Sequence, residues 1–172
     1  VTAASGIEKQ VGWWTSIVSG DFDNDGDSDY IVGNMGKNTY YRASYKYPIG
    51  IVAKDFDNNG SFDAVPTLYL PASQEDTNKY NFPAHNRDDL IKQMLPFRSK
   101  YLEYKTYAKA TIDKMFTKEE LKGALQLQAN NLHNCYLKNN GNDKFQLSAL
   151  PTEAQFANLN GMVVEDFDQD GI

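Results

Sequence analysis

The sequence predicts a mainly β chain with one α-helical insertion, and three observations carry that prediction. Three segments repeat one plan: an apolar run rich in β-branched residues, an aspartate-rich loop, then a second β-like run. The loops begin at Asp21, Asp55 and Asp166, spaced by 34 and then by 111 residues. Only the long gap contains helical periodicity, from about Asn86 to Gly123. Strand-rich repeats of about 30 to 60 residues suggest propeller blades or a β-solenoid, with the insertion lengthening one interval.

The first repeat runs from Trp13-Trp14 through Ile17-Val18 into Asp21-Phe-Asp-Asn-Asp-Gly-Asp-Ser-Asp29, then Tyr30 to Asn34. The second places Gly50 to Lys54 before Asp55-Phe-Asp-Asn-Asn-Gly-Ser-Phe-Asp63, followed by Ala64-Val65. The third places Gly161 to Glu165 before Asp166-Phe-Asp-Gln-Asp-Gly171, and the sequence closes at Ile172. β-Branched residues on both sides predict loops that join strands.

In the insertion, Leu90, Ile91, Met94 and Leu95 form one face of a helix capped by Asn86 or Asp88. Pro96 breaks or restarts it. Arg98 to Met115 carries Tyr101, Leu102, Tyr104, Tyr107, Ala108 and Ile112 among lysines, a second amphipathic segment. Thr117-Lys-Glu-Glu120 is a capping-box pattern opening a third helix that ends near Gly123. Alternation then returns at Leu125, Leu127 and Ala129, with further strands over Leu132 to Leu137 and Phe145 to Leu150 about the turn Asn139 to Lys144. The organisation expected is repeats with two loops over 1–73, a helical insertion over 74–124, and a returning β segment over 125–172.

Composition narrows the classes. Of 172 residues, 41% are hydrophobic and 13% aromatic, the range of a globular chain with a core. No apolar run has the length of a membrane span. The formal charge is −6, and eleven of the sixteen aspartates lie in the three loops, so acidity is clustered. Lysine and arginine are scattered without a basic stripe, which argues against nucleic acid as a partner. The single cysteine, Cys135, allows no internal disulfide and reads as a small core residue in an apolar stretch. The N-terminus carries no initiator Met, basic region or apolar region, so either a leader was removed or the sequence begins inside a longer gene.

The loops have the chemistry of a hard-cation site. The first has carboxylates at positions 1, 3, 5 and 9 (Asp21, Asp23, Asp25, Asp29), with Gly26 at position 6 for a sharp turn. Position 7, Asp27, is expected to offer its backbone carbonyl. All-oxygen ligands favour Ca²⁺ over transition metals, which prefer His or Cys. The second loop has Asp55, Asp57, Asn59 and Asp63 about Gly60; one amide replaces a carboxylate, so weaker binding is expected there. The third has Asp166, Asp168, Asp170 and Gly171, but its position 9 falls past Ile172, so the site is expected to be incomplete. An EF-hand needs Glu at position 12 and flanking helices; here position 12 is Val32 or Pro66 and the flanks read as strand. Three Ca²⁺ would bring the net charge to zero. A metal-free acidic hairpin is the plainer alternative, opposed by repulsion among converging carboxylates.

The motif Asp-Phe-Asp-x-Asp/Asn-Gly-x-x-Asp after a β run resembles the FG-GAP/VCBS repeats of integrin-α-like β-propellers. Gly12-Trp-Trp14, Asp21 to Asn34, and Asn139-Asn-Gly141 with Phe145 look like bacterial VCBS-repeat proteins similar to cartilage acidic protein, often with an ASPIC/UnbV domain. Arg87-Asp-Asp-Leu90 and Tyr107-Ala-Lys-Ala110 look like that subgroup too. The resemblance implies a partial propeller, about two to three blades of a usual seven. It implies calcium ligands at Asp21, Asp23, Asp25, Asp27 (backbone) and Asp29, and at Asp55, Asp57, Asn59, Ser61 (backbone) and Asp63. In the third loop it implies Asp166, Asp168 and Asp170.

The function expected is a binding, adhesion or scaffold module of an exported or cell-surface protein, with structural calcium and an unidentified protein or glycan ligand. Extracellular calcium modules work at roughly 10⁻⁴–10⁻³ M, far above cytosolic levels. A glycan-active enzyme is the alternative, with His85, His133, Glu75 and Glu165 as candidates, but no Ser-His-Asp, phosphate-loop or zinc signature is present. A third reading is an interaction device centred on Tyr101, Tyr104 and Tyr107 of the insertion. Core packing is the plainer account of those tyrosines.

Overall fold

The computed structural model describes residues 2–167. Eight strands are present among them: β1 (Ser16–Gly20), β2 (Asp29–Gly33), β3 (Ile49–Lys54) and β4 (Asp63–Pro71). These are followed by β5 (Lys79–Pro83), β6 (Leu125–Ala129), β7 (Cys135–Asn139) and β8 (Phe145–Ala149). The helices are α1 (Thr2–Ser5), α2 (Arg87–Gln93), α3 (Phe97–Lys100), α4 (Tyr104–Tyr107), α5 (Ile112–Met115) and α6 (Lys118–Leu121). The chain divides into two compact units, Val1–Arg42 with Asn130–Ile172, and Ala43–Ala129.

The first unit is built on one antiparallel sheet of order β1-β2-β7-β8. Alternation puts Ile17, Val32 and Cys135 opposite one another on one face. Cys135 is buried, as its apolar setting predicts. Strand β7 begins at Cys135 and not at Leu132, because Asn131 to Asn134 spend their polar groups elsewhere. Asn134, fully buried, accepts the Asn34 N–H at 2.6 Å and donates to the carbonyls of Ala154 and Ala157. Gln155 completes the knot, donating to the Asn134 and Leu150 carbonyls while its Oε1 accepts the Asn134 N–H. Buried amides are tolerated where each polar atom finds a partner. Gly36 makes the fit possible: its φ is +74°, and a Cβ there would stand 2.6 Å from the Gln155 carbonyl.

The strand expected over Gly161 to Glu165 does not form. Residues 157–166 follow the sheet without joining it, held by Thr15 and Ser16 hydroxyls that donate to the Leu159 carbonyl and by the Leu159 N–H on the Asn34 carbonyl. β-Branched residues alone do not make a strand without a paired edge.

The second unit holds the sheet β5-β4-β3-β6 with the helices on one of its faces. Val52 and Val65 from the sheet pack with Leu90, Met94, Phe97, Tyr101, Ile112, Met115 and Phe116. Each such side chain fully buried contributes roughly 1.5–3 kcal/mol. Asn86 caps α2, its side chain accepting the Asp89 N–H at 2.9 Å, and Thr117 with Glu120 forms the expected capping box of α6. Leu95 departs from the expected apolar face and is exposed, because α2 ends at Gln93 and the chain turns before Pro96. The single amphipathic segment expected over Arg98 to Met115 is three one-turn helices. Tyr101, Ala108 and Phe116 end them. Strand β5, to which the sequence reading assigned no strand signal, is set by its pairing with β4.

Candidate metal centres

Two of the three loops are hairpin turns with one backbone design. Asp21–Ser28 joins β1 to β2, and Asp55–Phe62 joins β3 to β4, so strands and not helices flank both. Each loop passes through the left-handed region twice, at Asn24 (φ 58°) and Gly26 (φ 89°), and at Asn58 (φ 57°) and Gly60 (φ 89°). Asparagine and glycine are the residues that adopt this conformation at least cost.

Position 1 organises each turn. Asp21 accepts the N–H of Asp25 at 3.1 Å and of Gly26 at 3.0 Å, one on each oxygen. Asp55 does the same for Asn59 at 3.0 Å and Gly60 at 2.9 Å. Position 5 closes a smaller turn: Asp25 Oδ1 accepts the Asp27 N–H at 2.9 Å, and Asn59 Oδ1 accepts the Ser61 N–H at 2.8 Å. Asp25, Asp27, Asn59 and Ser61 are exposed.

Position 9 opens the next strand and is buried in both loops, Asp29 with no exposed surface and Asp63 with 2%. One oxygen each from Asp21, Asp23 and Asp29 lies within 4.8 Å of the others, and the same holds for Asp55, Asp57 and Asp63. Ca²⁺ binds oxygens at about 2.3–2.6 Å, so ligands up to about 5 Å apart can share one ion. Both triads can therefore hold a metal ion, and the all-oxygen donor set fits a hard cation. Among the described residues these are the two such groups of three or more His, Cys, Asp and Glu. Of the third loop, Asp166 is described and exposed, while Asp168 and Asp170 lie outside the described residues.

The two position 9 carboxylates differ in electrostatic setting. Burial pushes the Asp29 carboxyl up, but it ends below its usual range, held there by the Tyr136 hydroxyl at 2.5 Å, the N–H groups of Asn139 and Phe22, and the Lys138 charge. Burial likewise pushes Asp63 up, and here the neighbouring Asp57 and Asp55 charges add to the rise, outweighing the Phe56 N–H at 2.9 Å. Lys138 Nζ also donates to Asp23 Oδ2. Tyr136, Lys138 and Asn139 all lie on β7, beside β2 but more than 100 residues away in sequence, and no local pattern marks them as part of the first loop.

The phenylalanine at position 2 anchors each loop differently. Phe56 stacks on Phe116 of the insertion core at 4.2 Å, whereas Phe22 meets Tyr136 edge-on at 6.2 Å and is 39% exposed. The other sequence candidates belong to neither triad, although Glu165 lines a cavity together with Asp21. His85 Nδ1 faces Gln93 at 3.4 Å and His133 Nδ1 faces Asn131 at 3.1 Å. Tyr101 is buried in the core, and Tyr107 donates to the His85 carbonyl at 2.6 Å. Tyr104 is exposed and donates to Asp88 at 2.5 Å.

Comparison with protein-family models, with curated proteins and with solved structures finds no match. No helix among the described residues is long and apolar enough to cross a membrane.

Proposed function

We propose that the chain is a calcium-binding segment of an FG-GAP/VCBS-type β-propeller in an exported or cell-surface protein, with calcium serving its fold. The observation that carries this reading is the repetition of one loop geometry in two hairpins, each converging three carboxylates. A four-stranded antiparallel sheet is the unit from which propeller blades are made, and two are present among the described residues. A buried position 9 carboxylate at the start of a strand ties ion binding to hairpin closure, so occupancy stabilises the folded state by mass action. The work of the protein is then binding, adhesion or scaffolding toward a protein or glycan ligand, and loops of this kind fill at extracellular calcium levels.

The test is thermal unfolding in millimolar CaCl₂ and in chelator, for the wild type, Asp23→Ala and Asp57→Ala. Calcium is expected to raise the wild-type Tm, and each variant to lose part of the rise. A wild-type Tm indifferent to calcium and to chelator would sink the reading.

A further inference from the structure

We propose that Lys138 is a built-in counter-cation of the first loop, and that the Asp55 loop is consequently the tighter calcium site. The inference rests on the calcium reading above and reverses the order that ligand charge alone implies. By sequence the first loop offers four carboxylates and the second offers three with one amide. Ligand charge is one of the main determinants of affinity in such loops, so the first would be the stronger.

The fold alters that order from a distance. Strand β7 lies against β2, and Tyr136, Lys138 and Asn139 of β7 contact the first loop. Tyr136 and the Asn139 N–H take the two oxygens of Asp29, and the Asn139 side chain donates to the Ser28 carbonyl at 3.3 Å. Lys138, between them, places its ammonium on Asp23, the position 3 ligand. Both side chains are partly withdrawn from solvent, 37% exposed for Lys138 and 25% for Asp23, so the pair is screened less than an open surface pair. A divalent cation entering this triad must share or displace that ammonium, and its own charge repels it.

The second loop has no such partner. Lys54 immediately precedes Asp55 in sequence, yet its Nζ donates to the carbonyls of Glu120 and Lys122, both at 3.0 Å, at the end of α6. Among the described residues no lysine or arginine pairs with Asp55, Asp57 or Asp63. Asp63 accepts the Phe56 N–H at 2.9 Å but meets no cationic side chain among the described residues, and the neutralising charge is left for an ion to supply.

Calorimetric titration of the chelator-stripped full chain with CaCl₂ tests this. In the wild type the tighter step is expected to vanish in Asp57→Ala and to persist in Asp23→Ala. In the Asp57→Ala background, Lys138→Met is expected to tighten the remaining step by about two- to fivefold, the scale of a partly exposed ion pair. Lys138→Gln should repeat that gain, and Lys138→Arg, which keeps the charge, should leave affinity near the parent value. Loss of the tighter step in Asp23→Ala overturns the proposal, as does an affinity unmoved by Lys138→Met and Lys138→Gln. Absence of calcium binding in every variant, Lys138→Met included, overturns the calcium reading itself, and is distinct from binding that ignores Lys138.

Discussion

The phenol of Tyr136 donates a 2.5 Å hydrogen bond to the fully buried carboxylate of Asp29, across 107 residues of sequence. The bond holds the position 9 carboxylate of the first loop in place. Hydrogen bonds to buried charges are worth about 1.5–3 kcal/mol. Tyr136→Phe keeps the ring against Phe22 and removes only the hydroxyl. It should cost about that much in urea unfolding, in chelator as well as in calcium, because the carboxylate is buried in both cases.

Neutralising position 9 should have opposite consequences in the two loops when metal is removed. Asp29 is held below its ordinary range, so its charged form is favoured by folding; Asp63 is held above, so its charged form is disfavoured. At pH 7 in chelator, Asp29→Asn is expected to lower Tm and Asp63→Asn to raise it by a few degrees, since about 1 kcal/mol moves a small domain by roughly 4–8 °C. In saturating calcium both should lower it. A Tm for Asp63→Asn that falls equally in chelator and in calcium would contradict the account of that site.

The two position 2 phenylalanines should not be equivalent. Phe56 stacks into the insertion core on Phe116, and Phe22 stands at a half-open edge. Phe56→Ala is expected to cost about 3 kcal/mol and Phe22→Ala about 1 kcal/mol in chemical denaturation. Because Phe56 belongs both to the second acidic loop and to the helical core, Phe56→Ala should also weaken the calcium binding proposed for that loop while leaving the first unchanged.

Glu120 supplies a pH signature away from the metal loops. The Thr117 N–H and hydroxyl hold its carboxyl below the ordinary value, with the Lys100 and Lys54 charges assisting. The folded value is depressed, so the stabilisation is complete above the unfolded value of about 4.5 and is lost as pH falls through the folded one. Glu120→Gln should flatten the stability profile in that acid window. At neutral pH it should cost no more than about 1 kcal/mol, the scale of a helix cap.

Much of this was legible in the sequence because the signals were local. The sharp turns at Gly26 and Gly60, the cap at Asn86 and the capping box at Thr117 each depend on residues within five positions. What escaped depends on pairing. Lys79 to Pro83 become a strand because they pair with β4, and Gly161 to Glu165 do not because they pair with no strand. The environment of Asp29 was hidden for the same reason: Tyr136, Lys138 and Asn139 reach the first loop only through the β2–β7 ladder. Ligand counting thus pointed to the two acidic triads but not to the remote neighbours that surround the first of them.

The pairing of β2 with β7 brackets the whole of the second unit within one connection of the first sheet. On the ribosome, the β1–β2 hairpin emerges early and must wait, with one edge bare, while about ninety residues are made and the intervening unit completes itself. Exposed strand edges invite wrong partners during such a delay. The acidic turn at the tip of that hairpin sets like charges against one another between copies, which opposes such wrong pairing at that end of the half-made sheet.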